Sequence, residues 1–429
     1  MKTIKVEGNA YKITIDQLLK RGEEDFREVD DTVWSILSDV RARGDQAVLD
    51  YTTKFDGVQL DSLKVSEAEI EEAWNSIDDE LKSILQEAAD NIRSYHALQK
   101  EKTWLDTKPN GVILGQLVNP MERVGIYVPG GKAAYPSTTL MNAIPAQVAG
   151  VDSIAMVTPP MKNGKINPVI LSAAKILGVT EIYKAGGAQS IAALAYGTET
   201  IEQVNKIVGP GNIYVARAKK MVFGSVDIDM IAGPSEICVV ADEWANPEYI
   251  AADLLSQAEH DEMASAVLIT SSEDLAQKTL EEVKKQTASA SRKEIIEASL
   301  AGYGYIFVTE NVQASLALAN ELAPEHLELQ LKDPISYLPQ VRNAGAVFLG
   351  AYAPESVGDY FAGPNHTLPT SGTAKFSSPL GVYDFMKKSS IIYYPKSAFD
   401  AIAGKVVTFA ESEGLDAHAN AMKVRMNNG

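Results

Sequence analysis

RVGIYVP (123–129), SIAMVT (153–158), EIYKA (181–185) and NKIVG (205–209) decide the fold class. Each is a short apolar run closed by glycine, proline or a polar turn, and the texture continues downstream. EICVVAD (236–242), SAVLIT (265–270), GYIFVT (304–309) and GAVFLG (345–350) read the same way. Between the runs, apolar residues recur at helical spacing over 189–197, 212–222, 247–260 and 311–322. Strands alternating with helices across short Gly/Pro loops predict βαβ units and therefore parallel sheets. Eight such runs, with a ninth at SIIYYP (390–395), suit two sheets better than one. The fold class is α/β.

Upstream of this region the pattern is helical. Residues 1–100 carry 22 acidic and 13 basic side chains, half of the whole chain's net −18. Leu81, Ile84, Leu85, Ala88, Ile92 and Tyr95 mark one apolar helix face beside His96, which reads as structural. Ser66 followed by Glu69 is the signature of a capping box, so a helix starts there. Downstream of about residue 380 only a β-like run and two weak helices remain, too little to bury a core alone. That tail needs a surface to dock on, and a second copy of the chain offers one.

The chain has 429 residues, 45% apolar and 22% charged, enough for two or three domains and unlike a disordered chain. The net charge of −18 repels a duplex or an anionic membrane, and no Lys/Arg cluster offsets it, which argues against nucleic-acid and membrane partners. No run of about 18 apolar residues offers a span. MKTIKVEGNAYKITID lacks a signal-peptide core. One cysteine excludes an internal disulfide framework. A cytoplasmic, reducing location is expected.

Histidine is scarce, so its company is informative. In LLSQAEHD, Gln257 and His260 are three apart late in a helix and share a face; they are either a metal-binding pair or a plain helix end. In LAPEHLEL, Glu325 and His326 fall between a helix and a strand, suited to proton transfer unless they are accidental neighbours. SVGDYFAGPNHTLPT places Asp359, Asn365 and His366 in a loop too specific for a connector. In ESEGLDAHANAM, Gly414 breaks the chain between Glu413 and a helix carrying His418. Gln257, His260, Asp359 and His418 together make an oxygen-and-imidazole set without thiolate, which suits zinc or another borderline divalent ion. YVPGGKAAYPS, KAGGAQS and VGPGNIYVARAKK each lead from a strand into a helix, as anion-binding turns do, although generic βα turns also contain glycine. Tyr214 stands where a dinucleotide fingerprint needs its third glycine. Cys238, inside an apolar strand with no adjacent base, is rejected as a nucleophile.

RVGIYVPGGKAAYPS, LMNAIPAQVAG, AGGAQSIAALAYGTE, VGPGNIYVARAKK, DMIAGPSE, LLSQAEHD, APEHLEL and GPNHTLPT, in this order, resemble the histidinol dehydrogenase family over nearly the whole chain. The resemblance implies oxidation of L-histidinol to L-histidine through the aldehyde, with two NAD, at the end of histidine biosynthesis. It implies one zinc per subunit on Gln257, His260, Asp359 and His418, and Glu325 with His326 as the acid–base pair. NAD contacts fall on Tyr127, Gln189 and Asn212. Substrate contacts fall on Ser235, His366 and Glu413, besides His326 and the zinc ligands. The implied architecture is two incomplete Rossmann-like domains in a homodimer whose partner supplies Glu413 and His418. The expected division is an N-terminal arm (1–26), a discontinuous α/β domain (27–122 and 236–380), an NAD-binding α/β domain (123–235) and a dimer-exchange segment (381–429). A zinc hydrolase with Glu325 as base is the competing enzyme reading, since it uses the same parts.

Overall fold

The computed structural model describes residues 1–8, 10–20, 26–130 and 134–427. The chain divides into two compact units, one of Met1–Gln99 with Glu122–Phe385 and one of Lys100–Met121 with Met386–Gly429.

The first unit holds two parallel sheets. The upstream sheet runs Glu181–Lys184, Ser153–Thr158, Arg123–Tyr127, Lys206–Val208, Asp227–Ile228 across its width. In chain order that is 3-2-1-4-5, the order of one Rossmann half. The downstream sheet repeats it with Gly304–Val308, Ser265–Thr270, Glu236–Ala241, His326–Gln330 and Ala346–Leu349. All these pairings are parallel. Helices cover both faces, which is why the strands read as unbroken apolar runs rather than alternating ones. Val124, Ile126, Val239, Val240, Leu268 and Leu327 have no exposed surface. The expected α/β architecture of two incomplete Rossmann-like sheets is the one found.

Two features lay outside the sequence reading. Lys2–Lys5 adds a sixth strand to the downstream sheet, Lys2 opposite Tyr305, in the stretch expected only as an arm. Its mostly exposed, lysine-bearing face suits an edge position. The following helix, Ala10–Leu19, buries Ile15 and Leu18 in the same core as Leu327 and Leu329. Of that arm, positions 9 and 21–25 lie outside the described residues. The helices of 27–97, expected with 236–380, pack instead mainly on the helices that cover the upstream sheet. Val33, Ile36, Leu37 and Val40 share one core with Ile191, Val215 and Ile207. The apolar stripe gave the buried face but not its partner.

The helix Glu67–Ser76 opens on the expected capping box: Glu69 N–H donates to Ser66 Oγ (3.2 Å), and Ser66 N–H donates to Glu69 Oε2 (2.9 Å). Asp79–Ala97 buries Leu85, Ala88 and Ile92 but leaves Ile84 and Tyr95 largely exposed. His96 is fully buried with Nδ1 2.8 Å from the Ile92 carbonyl, a structural role. Among the described residues no helix is long and apolar enough to cross a membrane.

In the second unit, Met386–Tyr393 pairs antiparallel with Ile113–Pro120, which pairs with Trp104–Thr107. The helices Lys396–Ser412 and Asp416–Asn427 follow, separated by Gly414 at φ +73°. The predicted break between Glu413 and the helix bearing His418 is therefore present.

Candidate active site

The downstream sheet begins its two central strands side by side, with His326 in register with Ile237. The two residues at these strand starts lock each other. Glu236 N–H donates to Glu325 Oε2 (2.9 Å), Glu325 N–H donates to Glu236 Oε2 (3.3 Å), and Ser371 N–H donates to Glu236 Oε1 (2.9 Å). His326 Nδ1 lies 3.0 Å from the Glu236 carbonyl, which can only accept, so Nδ1 carries a proton and Nε2 is the ring nitrogen left to exchange one. Nε2 is buried without a hydrogen-bond partner and points at Asp359 Oδ1, 3.6 Å away.

Burial pushes the Glu325 carboxyl up to about 8, with the charges of Glu236 and Glu355 adding and His326 opposing. Burial works against a charged His326, but the carboxylates Glu355, Glu325 and Asp359 outweigh it and hold its proton well above the usual histidine range. Asp359 also suffers from burial, yet the imidazoles of His326, His366 and His260 hold it below the usual carboxylate range.

The helix Pro247–Ala258 starts with Asn246 as cap and Pro247 in its first turn. Its last turn carries Gln257, 1% exposed, with Oε1 buried and unpartnered. His260 follows the helix end and is exposed. Asp359 comes from the short helix Glu355–Tyr360, and His366 Nε2 lies 3.5 Å from Thr138 Oγ1.

These side chains line one cavity of about 320 Å³, within the size range of small-molecule sites. It collects Ser235, Gln257, His260, Glu325, His326, Asp359 and His366 with Pro129, Ser137, Thr138 and Asn212. Tyr127 and Gln189 are not wall residues. They lie buried at the Gly187 turn, whose N–H is 3.5 Å from the Tyr127 hydroxyl, and burial pushes that phenol up to about 12. Glu413 and His418 belong to the second unit, where both are exposed, and neither lines the cavity.

Glu236 and Glu355 were missed from sequence. Glu355 is 3% exposed, and burial raises its carboxyl to about 7. It forms with His326 and Asp359 a trio whose ligating atoms lie within 4.8 Å of one another. Its position four residues before Asp359, just after Pro354, was the available signal. Cys238 is buried in its strand, and burial pushes the thiol up, consistent with an inert residue.

The donor set fits a divalent cation. Gln257 offers an orphaned buried amide oxygen, and the pull of three carboxylates on the His326 proton is equally a pull on a metal charge. The upstream loops fit an anionic cofactor. Gly209 has φ +114°, and a Cβ there would strike the Tyr127 carbonyl, while a Cβ on Gly211 would strike Val215. Only glycine lets the turn pack this closely on Arg123–Tyr127 and on the first turn of the helix Ile213–Val222, whose N-terminal amides are the anion-favouring feature. In the first glycine loop, Gly131, Lys132 and Ala133 lie outside the described residues.

The family profile described as histidinol dehydrogenase matches residues 19–426. Histidinol dehydrogenase of Bacillus subtilis (strain 168) is 54% identical over 422 residues, 98% of each chain. That of Clostridium acetobutylicum (strain ATCC 824) is 52% identical over 420 residues, 98% of this chain and 97% of its own. The crystal structure of histidinol dehydrogenase from Elizabethkingia anophelis superposes with a TM-score of 0.94 at 40% identity, covering 100% of this chain and 98% of the other.

Proposed function

Since the chain belongs to the histidinol dehydrogenase family, a family of NAD-dependent oxidoreductases, we propose that it oxidises L-histidinol to L-histidine through the aldehyde at a single zinc-dependent site, closing histidine biosynthesis. The observation that supports this most is the His326–Glu325 pair, an imidazole with only Nε2 free beside a buried carboxyl at the wall of the cavity.

Gln257, His260 and Asp359 would hold the zinc, with His418 completing the set from a partner subunit. Bound there, zinc would supply Lewis-acid anchoring for a substrate that carries an imidazole and an amine. Tyr127, Gln189 and Asn212 would hold NAD at the glycine turns, and NAD would supply the hydride acceptor for each oxidation. Holding alcohol and acceptor together removes an entropic barrier worth up to about 7–11 kcal/mol. His326 Nε2 takes the hydroxyl proton in the first oxidation, while the Glu236 carbonyl keeps the ring oriented through Nδ1. The aldehyde must be hydrated before it can lose hydride again. Glu325 takes the proton of that water, and His326, once its first proton has passed to solvent, accepts the proton of the diol. Ser235, His366 and Glu413 are assigned to substrate contact.

Homodimer formation fits the second unit, which exposes Ile392, Tyr393, Phe409, Leu415, Val424 and Met426. We assign Glu413 and His418 to the neighbouring subunit's site, 381–429 to subunit exchange, and 123–235 to NAD binding.

The test is to supply the purified protein with L-histidinol and NAD. Two NADH per histidinol, abolished by chelation and restored by zinc, is the expected result. Turnover of an ester or amide without NAD, and no NADH from histidinol, would instead favour a zinc hydrolase.

A further inference from the structure

Three elements meet behind the cavity, and each places two polar side chains one repeat apart. The helix Pro247–Ala258 carries Asp253 and Gln257, the strand His326–Gln330 carries His326 and Glu328, and the helix Glu355–Tyr360 carries Glu355 and Asp359. Spacings of four on a helix and two on a strand put each pair on one face. Gln257, His326 and Asp359 line the cavity; Asp253, Glu328 and Glu355 lie behind it, at most 9% exposed.

The back row is joined to the front row through one contact. Gln257 Nε2 donates to Glu355 Oε1 at 3.2 Å. Glu355 is itself held from two sides: Ser256 Oγ donates to its Oε2 (3.3 Å), and its own N–H donates to Glu328 Oε1 (3.0 Å). Gln330 Nε2 in turn reaches Glu328 Oε2 (3.2 Å) and Asp253 Oδ2 (3.4 Å). A glutamine amide has a donor end and an acceptor end of nearly equal shape, so its own packing does not choose which one faces the cavity. Glu355 makes the choice by position: its two carboxyl oxygens are both engaged as acceptors, Oε1 by Gln257 Nε2 and Oε2 by Ser256 Oγ, so Nε2 is held at the back and Oε1 is left buried, unpartnered and available to a cation.

We propose that Glu355 is a positioning residue that fixes the Gln257 amide with its oxygen toward the metal. This rests on the zinc site proposed above. A neutral amide oxygen is a weak ligand, so its orientation matters more than that of a carboxylate, which binds through either oxygen. Partners of this kind behind a metal site typically contribute about 10–100-fold in affinity.

The experiment is a double-mutant cycle read by zinc affinity, measured by chelator competition on the full-length protein and independent of turnover. Glu355→Gln is expected to weaken zinc binding about 10–100-fold. In the Gln257→Ala background the same change is expected to cost less than about twofold, because the amide it orients is gone. Glu355→Asp keeps the charge but withdraws the oxygen, and should lose affinity by the same route; it also serves if Glu355→Gln fails to fold, which melting of the metal-free variants reveals. Wild-type affinity in both single variants overturns the proposal. So does an equal loss in both backgrounds, which would make Glu355 a ligand itself. A wild-type chain that takes up no zinc at all overturns the metal site and this inference together, a pattern distinct from the other two.

Discussion

The two parallel sheets of the first unit share one strand order but meet the cavity with opposite ends. The upstream sheet presents the C-terminal ends of its strands: Pro129 follows Arg123–Tyr127, and Asn212 follows Lys206–Val208. The downstream sheet presents the N-terminal ends: Ser235 precedes Glu236–Ala241, and Glu325 precedes His326–Gln330. Because helices run antiparallel to the strands they follow, the upstream side brings helix N-termini to the cavity and the downstream side brings the C-terminus of Pro247–Ala258. Helix N-termini favour anions and C-termini favour cations. The side chains follow the same division. Upstream, among the described residues, no carboxylate or imidazole is present, only proline, glycine, tyrosine, serine, threonine and asparagine; downstream glutamate, aspartate and three histidines stand beside Ser235, Gln257 and Tyr360. One fold used twice thus gives a phosphate-friendly wall facing a metal-friendly one.

The sharpest way to break this comparison is to remove the titrating group of the downstream wall. His326→Asn keeps a donor toward the Glu236 carbonyl but loses the base, and both oxidations should slow by about 100–10,000-fold. NAD affinity, assigned above to the other wall as a proposal, should hold within about twofold; a comparable loss of NAD binding would show that the two walls do not act separately. Glu325→Gln separates the steps. Aldehyde oxidation should fall by about 100–10,000-fold while alcohol oxidation is largely retained. The pH dependence has a definite sign. The Glu325 carboxyl is raised to about 8, so its basic form grows as pH rises, and aldehyde oxidation should climb toward a plateau above pH 8. The same raised pKa means that ionising Glu325 opposes folding, a cost that develops from the unfolded-state value upward and is complete above pH 8. Single-turnover rates against pH for the wild type and Glu325→Gln check the first point, and denaturant melts of the same two proteins against pH check the second.

A buried ion pair stands behind the upstream wall. Lys219 pairs with Asp229, donates to the Gly209 carbonyl (2.9 Å), and Asp229 Oδ2 accepts the Gly209 N–H (2.8 Å). Lys219→Met leaves Asp229 buried without its cation, which should cost about 3–5 kcal/mol of stability. It should also raise KM for NAD, while zinc affinity stays unchanged; denaturant melts and titrations of the two ligands read these separately.

The same contrast explains what the sequence revealed. The strands were legible because burial on both faces leaves unbroken apolar runs, and the capping box because Ser66 and Glu69 act within one turn. Gln257, His260, Glu325, His326 and Asp359 stood out as scarce histidines in polar company, and they do share a cavity. Glu236 and Glu328 were invisible, and Glu355 was marked only by its place four residues before Asp359. An acidic residue reads as solvated surface unless something marks its burial, and here only tertiary packing does so. The packing of 27–97 on the helices of the upstream sheet was hidden for a related reason, since an amphipathic stripe states that a face is buried without naming what buries it. Lys2–Lys5 lacks even that, because an edge strand exposes most of its side chains.

The smallest expected effect distinguishes a helix cap from a cofactor contact at Asn212. Its Oδ1 accepts the Val215 N–H at 3.2 Å, capping the helix Ile213–Val222, and the residue also lines the cavity. Asn212→Ala loses the cap and should lower stability by about 1 kcal/mol. Asn212→Ser restores a hydroxyl acceptor and should recover most of that, yet its shorter arm cannot span to a bound nucleotide as the amide would. If Asn212 serves NAD, KM for NAD rises in both variants while only Asn212→Ala melts early. If it serves the helix alone, KM moves with stability and Asn212→Ser behaves as wild type in both, leaving the upstream wall to bind its cofactor through backbone and helix dipole.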